Sequence, residues 1–137
     1  MLDALQVSPA AMHDRRKLTA SGLRVFSRIA ERWGLNVKER MTLLGAGSPS
    51  TFHKWMKHPD QALAPRDTLE RISHVLGIYA ALKILLPRDD AAVAWIRKPN
   101  SAPLFGGRPA LDRMLAGNVS DLYVVRQYLD SVRGGWS

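Results

Sequence analysis

The segment NVKERMTLLGAGSPSTFHKWMK, residues 36–57, decides the fold. It predicts two short helices joined by a glycine-bearing turn. Asn36 is a favourable N-cap for the first helix, and Glu39 completes a capping box with it. Gly45 is expected to end that helix, and Ser48 is expected to cap the second, which has a proline at its first position. Two short helices joined by such a turn are typical of a helix-turn-helix.

The second of these helices, over residues 49–57, sorts its side chains by face. Its apolar residues are expected to pack against those of the first helix, residues 37–44: Phe52, Trp55 and Met56 against Val37, Met41 and Leu44. The small hydroxyls, imidazole and cations that remain are side chains that reach phosphates and base edges in a major groove. The exposed amides at the helix start also favour a phosphate. We interpret the following residues as DNA-binding candidates: Ser48, Ser50, Thr51, His53, Lys54 and Lys57.

The preceding helix is predicted over about residues 21–33. Its apolar stripe is Leu23, Phe26, Ile29, Ala30 and Trp33, while Arg24, Arg28 and Arg32 recur every four residues along another face. Most such stripes are solvated faces, but beside a helix-turn-helix Arg24 and Arg28 are candidates for phosphate contacts. Residues 1–60 hold ten basic and five acidic residues, and residues 61–137 hold ten and seven. The charge surplus is therefore tilted toward the helix-turn-helix.

Composition bounds the class of protein. The 137 residues make one domain or two small helical modules sharing a core, and 46% hydrophobic residues suffice to bury one. A net charge of +8 favours a polyanionic partner such as nucleic acid. The lack of cysteine excludes disulfides, zinc-thiolate sites and cysteine nucleophiles. No stretch approaches the ~20 apolar residues of a membrane span, and the first residues lack a secretion signal, so we expect a cytoplasmic protein without membrane contact.

Helical spacing recurs through the rest of the chain. Helices are predicted over about residues 67–86, 89–97, 109–115 and 120–132. The first has the apolar stripe Leu69, Ile72, Leu76, Tyr79, Leu82 and Leu86, and the last has Leu122, Val125 and Leu129. Residues 1–20 are polar and expected to be mobile, although Ser8 and Pro9 have the form of a helix start. The predicted fold is all-α, a bundle of about seven helices with an N-terminal helix-turn-helix and a C-terminal helical module.

Side chains suited to catalysis or metal binding are scattered. The four histidines, His13, His53, His58 and His74, show no metal-ligand spacing, and no serine lies in a nucleophile-elbow motif. We interpret Gly106-Gly107 as a structural turn, because no Lys-Ser/Thr pair follows it as in a phosphate-binding loop. We predict that the chain is not an enzyme and uses neither a metal nor another cofactor.

The second half of the chain resembles a known family. The segments WIRKPN (95–100), FGGRPALDRM (105–114), DLYVVRQYLD (121–130) and RGGW (133–136) occur in the order found in antitoxins of the MbcA/ParS/Xre family. The first half resembles the Xre-type helix-turn-helix that precedes this module in the same proteins. After the polar start (1–20), which resembles no part of the family, the resemblance implies two segments: a DNA-binding region (21–66), and a long linking helix with a toxin-binding and dimerisation module (67–137).

The resemblance implies the antitoxin of a type II toxin-antitoxin system. The implied partners are a cognate RES-domain toxin, which degrades NAD or ADP-ribosylates its target, operator DNA, and further copies of the chain bound through the C-terminal region. The C-terminal module would block the toxin's active site, while the helix-turn-helix represses the shared operon. The stretch from Asp121 to Trp136 inherits the toxin-facing role, and the toxin-binding candidates are Arg108, Leu122, Arg126, Arg133, Gly134, Gly135, Trp136 and Ser137.

Several alternatives stay open. Trp136 follows two glycines, which make its ordering in a core costly, so it is either unattached or an anchor for a partner's pocket. The turn LLGAGSPST is one residue longer than the family's usual form, with Ala46 replacing a larger apolar residue. Two other functions are alternatives to an antitoxin. The first is a stand-alone helix-turn-helix regulator whose C-terminal module only dimerises, and the second is a protein-interaction module that binds no DNA.

Overall fold

The computed structural model describes residues 8–134. Over this range the chain forms seven α-helices and no strand, which confirms the all-α prediction. The helices are α1 (Pro9–Arg32), α2 (Val37–Leu44), α3 (Pro49–Lys57), α4 (Arg66–Leu85), α5 (Asp89–Ala94), α6 (Ala110–Met114) and α7 (Val119–Gly134). Single 3₁₀ turns follow α3, at Pro59–Gln61, and α5, at Trp95–Arg97.

Helix α1 begins well before the predicted residue 21, so the expectation of a mobile segment over residues 1–20 is wrong for residues 9–20. The Ser8 hydroxyl accepts a hydrogen bond of 3.1 Å from the amide of Ala11 and caps the helix. The guanidinium of Arg15 donates to the carbonyl of Ala64 from Nε at 3.1 Å and Nη2 at 2.7 Å. Thr19 is fully buried. Residues 1–7 lie outside the described range.

Helix α4 is the central element and packs against both α1 and α7. On one side, the rings of Trp33 and Tyr79 meet edge to face at 5.9 Å between centroids. On the other side, Arg71 donates to the carbonyl of Gly117, and the His74 ring meets Tyr123 edge to face at 5.7 Å. Residue numbers rise together along both contacts, so the three long helices run in the same direction.

The predicted apolar stripe of α4 is only partly correct. Ile72 and Leu82 are buried, but the other members of the stripe are partly exposed. The face with no exposed surface consists of Val75, Ile78 and Ala81. Because α4 is covered on two sides, its buried surface is wider than one helical stripe, and the sequence period marked only one edge of it.

One core runs through the described part of the chain. It contains the predicted stripe of α1, from Leu23 to Trp33, and the predicted stripe of α7, Leu122, Val125 and Leu129. The expected units over residues 21–66 and 67–137 therefore share a single hydrophobic core, with α4 as its common wall.

Two arginines connect the helix-turn-helix with the C-terminal half through backbone carbonyls. Arg71 is 8% exposed, and its guanidinium bonds the carboxylate of Asp67 at 2.8 Å, the carbonyl of Thr42 at 3.3 Å and that of Gly117 at 2.9 Å. Arg97 donates to the carbonyls of Trp33 and Gly34, at the end of α1. Arg97 thereby satisfies carbonyls that the end of α1 leaves without an intrahelical partner. Arg71 is a second donor to the Thr42 carbonyl, which also accepts from the Gly45 amide at 3.2 Å.

We predict that Arg71→Met lowers the free energy of unfolding by about 1.5–3 kcal/mol, because it keeps the packed stem but removes the hydrogen bonds of the guanidinium to Asp67, Thr42 and Gly117. Urea titration followed by circular dichroism measures this. Arg88→Met is the control, since Arg88 pairs with Asp90 on the surface, and such a pair contributes about 0–1 kcal/mol. Equal losses in the two variants would contradict the prediction.

Candidate nucleic-acid interface and C-terminal interaction surface

The helix-turn-helix has the caps that its sequence predicts. The Asn36 carboxamide accepts from the amide of Glu39 at 2.8 Å, and the Glu39 carboxylate accepts from the amide of Asn36 at 2.9 Å. Gly45 ends α2 in the left-handed region, at φ 67°. A Cβ at this position would lie 2.8 Å from Nε of Arg71, so a side chain is excluded by space as well as by φ. The capped α2 and the packing of Arg71 against Gly45 therefore fix the turn from which α3 begins.

Helix α3 places its aromatic residues inward. Phe52 and Trp55 are buried, and Met56 is half-buried, with its sulfur 3.4 Å from the hydroxyl of Ser27 on α1. The predicted partners on α2 need a correction, because Val37 is 50% exposed and the buried residues of α2 are Leu43 and Leu44. The contact of α2 with α4, where Thr68 donates to the Leu44 carbonyl at 2.8 Å, turns the C-terminal end of α2 inward and leaves its start exposed.

The predicted DNA-binding residues of α3 divide into two groups. Ser48 and Thr51 are half-buried, and their hydroxyls bond each other at 3.1 Å while Ser48 also caps the helix. They position α3. The remaining residues are exposed and form no ion pair with any residue in the range 8–134: Ser50, His53, Lys54 and Lys57.

The arginine stripe of α1 lies beside α3. Arg24 and Arg28 line a cleft of about 360 Å³ together with Trp55 and Met56. Arg24 pairs with the exposed Asp60 at 2.7 Å, whereas Arg28 meets no carboxylate in the described part of the chain. Arg32, the third member of the stripe, pairs with Asp89. Hydrogen bonds from Lys83 and Arg32 lower the pKa of Asp89, so its carboxylate stays ionised and is shared by these two cations.

Among residues 8–134, the basic side chains that meet no carboxylate are concentrated in the N-terminal half. Ten basic side chains meet a carboxylate: Arg24, Arg32, Arg40, Arg71, Lys83, Arg88, Arg97, Arg108, Arg113 and Arg126. Of the other ten basic residues in the sequence, eight lie at or before residue 66: Arg15, Arg16, Lys17, Arg28, Lys38, Lys54, Lys57 and Arg66. Only Lys98 and Arg133 follow. A polyanion therefore meets its strongest attraction on the side of α1 and α3.

The predicted toxin-binding residues also divide into residues with a role inside the fold and residues at the surface. Leu122 has no exposed surface, so the prediction that it contacts a partner is wrong; it is a core residue of α7. Arg126 is half-buried and lies over Gly77 of α4, where a Cβ would come within 2.4 Å of its Nε. It donates to the carbonyl of Ser73 at 3.3 Å, which makes its role internal.

The other toxin-binding candidates lie at the surface or beyond the described range. Arg108 is exposed, 3.6 Å from Asp112. Arg133 is exposed near the end of α7, and Gly134 is the last residue described. Gly135, Trp136 and Ser137 lie outside the described residues.

The loop before α6 is built by backbone hydrogen bonds. The amide of Gly107 donates to the carbonyl of Asn100 at 2.8 Å, and the amide of Asn100 donates to the carbonyl of Arg108 at 3.2 Å. Gly106 and Gly107 both have positive φ, at 58° and 87°, as expected for a structural turn. The ring of Phe105 sits between Trp95 and Tyr128, at 5.9 and 5.3 Å, and fixes the loop to α7.

The sequence patterns did not identify two titratable groups, His74 on α4 and Asp121 on α7. His74 is mostly buried, and its Nδ1 finds no partner in the described part of the chain. Burial, and then the charge of Arg126, lower the pKa of His74, while Glu70 acts in the opposite direction. Burial alone would raise the pKa of Asp121, but hydrogen bonds from Arg113 and Asn118 bring it below the usual value. Both depend on contacts across helices, which spacing along one helix does not reveal.

No group of acidic, histidine or cysteine side chains within residues 8–134 is arranged to hold a metal ion. None of the helices in that range combines the length and apolar character that crossing a membrane requires.

Comparison with known proteins gives two family matches. Residues 9–77 match the family described as the antitoxin Xre-like helix-turn-helix domain, and residues 81–135 match the antitoxin Xre/MbcA/ParS C-terminal toxin-binding domain. The two matches meet inside α4. Among curated proteins, the uncharacterized protein y4oB of Sinorhizobium fredii (strain NBRC 101917 / NGR234) is 50% identical over 113 residues, 82% of this chain and 84% of that protein. No solved structure matches the chain.

We predict that stability falls as the pH is lowered from about 7 to 5, and that His74→Gln flattens this dependence. The pKa of His74 is lower in the folded state, so the unfolded state binds the proton more tightly and acid favours unfolding below about pH 6.5. Urea titrations at three pH values between 5 and 7 measure the slope. His53→Gln, on the exposed face of α3, should keep the wild-type slope. An unchanged slope in His74→Gln would contradict the assignment.

Proposed function

The chain belongs to the Xre/MbcA/ParS family of antitoxins, and from this premise we propose that it inhibits a cognate RES-type toxin and represses its own operon by binding DNA. The observation that carries the DNA-binding part is the exposed cationic face of α3 beside α1. We propose that the chain acts on the toxin and on DNA by binding alone, without catalysing a reaction. The RES identity of the toxin, with its NAD-degrading or ADP-ribosylating activity, rests on the family resemblance.

In the proposed DNA complex, α3 lies in the major groove. Lys54 and Lys57 neutralise phosphates, and Arg24 and Arg28 extend this contact along α1. A phosphate can replace Asp60 as the partner of Arg24, because both side chains of this ion pair are exposed. Ser50 and His53 are the side chains left to reach base edges, since they are exposed near the start and middle of α3.

In the proposed toxin complex, the surface of the C-terminal module is the contact. Arg108 and Arg133 are the exposed cations among the candidates, and the tail from Gly135 to Ser137 continues from the same helix as Arg133. Trp136 is proposed as an anchor in a pocket of the toxin, where tryptophan residues contribute strongly to affinity.

We predict that Lys54→Ala and Lys57→Ala each weaken binding to the DNA upstream of the chain's own gene. Each lost phosphate contact should also reduce the slope of log affinity against log salt by about 0.9. Fluorescence anisotropy at four salt concentrations measures both quantities. Lys98→Ala is the matched control, because Lys98 is likewise exposed and meets no carboxylate in the described range. If Lys98→Ala changes the slope as much as the α3 variants do, the α3 face is not the reading surface.

We predict that Trp136→Ala weakens binding to the product of the neighbouring toxin gene by roughly 2–4 kcal/mol, as expected for an anchoring tryptophan. Co-expression and isothermal titration calorimetry measure this, and DNA affinity of the same variant serves as the control that should not change. Failure of the wild-type chain to bind the neighbouring gene product, with DNA binding intact, would favour a stand-alone regulator.

A further inference from the structure

A cleft between α1 and α3 combines apolar walls with two cations. Its volume is about 360 Å³. Leu23 and Trp55 are buried and form its floor, while Met56 and Pro59 are half-buried and leave apolar surface accessible. This volume lies at the lower end of the range for ligand pockets, and mostly apolar walls with a few polar groups are typical of such pockets. The cleft therefore suits a small organic molecule.

The polar side of the cleft is formed by one face of α1. Arg24 and Arg28 both line the cleft, together with the hydroxyl-bearing Ser27. The two arginines are one helical turn apart, with about 5–6 Å between their Cβ atoms. A guanidinium presents a planar fork of donors that matches the oxygens of a phosphate group. Two forks at this spacing can bind different oxygens of the same phosphate.

Asp60 neutralises only one of these two guanidiniums. Its carboxylate lies 2.7 Å from Nη2 of Arg24, and it follows Pro59 in the chain, so it stands at the edge of the cleft. Arg28 meets no carboxylate within residues 8–134, which leaves the cleft with a net positive charge. The side chains of Arg24 and Asp60 are 51% and 75% exposed, so their pairing contributes little to stability and another anion can replace Asp60 at small cost.

We propose that this cleft binds a small phosphomonoester that carries a planar ring, such as a nucleoside monophosphate. In the complex the phosphate displaces Asp60 and accepts hydrogen bonds from Arg24 and Arg28 together, while the ring packs on Met56 and Pro59. A phosphomonoester carries a charge of about −1.5 to −2 at pH 7, which balances two guanidiniums, whereas the single charge of the Asp60 carboxylate balances one. Asp60 is therefore an internal competitor of the ligand.

A ligand in the cleft also regulates the proposed DNA binding. Arg24 and Arg28 are the residues of α1 that would contact DNA phosphates, and they cannot bind the ligand and DNA at the same time. The ligand therefore weakens binding to DNA, and DNA weakens binding to the ligand by the same factor. This competition rests on the proposed function, whereas the ligand site itself does not, because binding of the ligand needs neither DNA nor a toxin.

Isothermal titration calorimetry on the full chain, without DNA, tests the class of ligand. The probes are adenosine monophosphate, inorganic phosphate and adenosine. Adenosine monophosphate should bind at least about tenfold more tightly than either of the others, because it alone contacts both the guanidiniums and the apolar walls. A dissociation constant above about 5 mM for adenosine monophosphate, or one equal to that of inorganic phosphate, would overturn the proposal.

The two charged groups of the cleft have opposite expected effects. Arg28→Gln should weaken binding of adenosine monophosphate at least about fivefold, because it removes one guanidinium from the phosphate. Asp60→Asn should strengthen binding about two- to fivefold, because it removes the competing carboxylate. If Arg28→Gln keeps the wild-type affinity, or if Asp60→Asn fails to raise it, the phosphate does not bind where we place it.

Each variant has a matched control elsewhere on the surface. Arg16→Gln makes the same change on the same helix, at an exposed residue about 12 Å along the axis from Arg24, beyond the Debye length of about 8 Å in 0.15 M salt. Asp90→Asn breaks a pair of the same length, since Asp90 lies 2.7 Å from Arg88 and is 70% exposed. Both controls should keep the wild-type affinity, and circular dichroism checks the helical content of all four variants. Equal effects in a variant and its control would indicate non-specific attraction of charge and not a site.

A DNA arm separates the site from the proposed function. In fluorescence anisotropy at constant ionic strength, saturating adenosine monophosphate should raise the dissociation constant for the upstream DNA at least about threefold. If adenosine monophosphate binds as expected but the chain does not bind this DNA, the proposed function fails and the site stands. If both bind without competing, the ligand does not use Arg24 and Arg28, and the site is wrong while the proposed function stands.

Discussion

The guanidinium of Arg71 is the contact on which the arrangement of the two halves depends. It emerges from the central helix α4, is almost completely buried, and bonds the carbonyl of Thr42 at the end of α2 and the carbonyl of Gly117 just before α7. Asp67, one turn earlier on α4, keeps the guanidinium oriented at 2.8 Å. One side chain therefore hydrogen-bonds backbone groups that belong to both halves, which a hydrophobic contact could not do.

This contact also explains the composition of the turn between α2 and α3. The guanidinium occupies the space that a Cβ at residue 45 would need, so glycine is required there for packing as well as for its positive φ. With the end of α2 bound to α4 through Arg71 and Thr68, the Ser48 cap determines how α3 leaves the turn. The turn that contains Ala46 is thus compatible with a fixed α3, since α4 provides the restraint.

The sequence predicted the features that depend on near neighbours. The capping box of Asn36, the Ser48 cap with Pro49 and the left-handed Gly45 are all local, and all are present. The errors arise where contacts are distant along the chain. The start of α1 is held by Arg15 on Ala64, 49 residues away, and the exposure of Val37 follows from the contact of α2 with α4. Leu122 belonged to a family motif, and a motif does not distinguish residues kept for packing from residues kept for binding.

Pairing of charges separates the surfaces that the two proposed partners would use. Seven of the ten basic side chains that meet a carboxylate lie beyond residue 66, and several of them, such as Arg113 with Asp121, hold the C-terminal module together. Their charge is balanced locally, so this module attracts polyanions weakly and can bind a protein through shape and apolar contacts. Within the described range, the cations that meet no carboxylate lie mainly on α1 and α3, and long-range attraction of the proposed DNA partner would be directed there. A chain of 137 residues can therefore bind two different macromolecules without assigning the same cations to both.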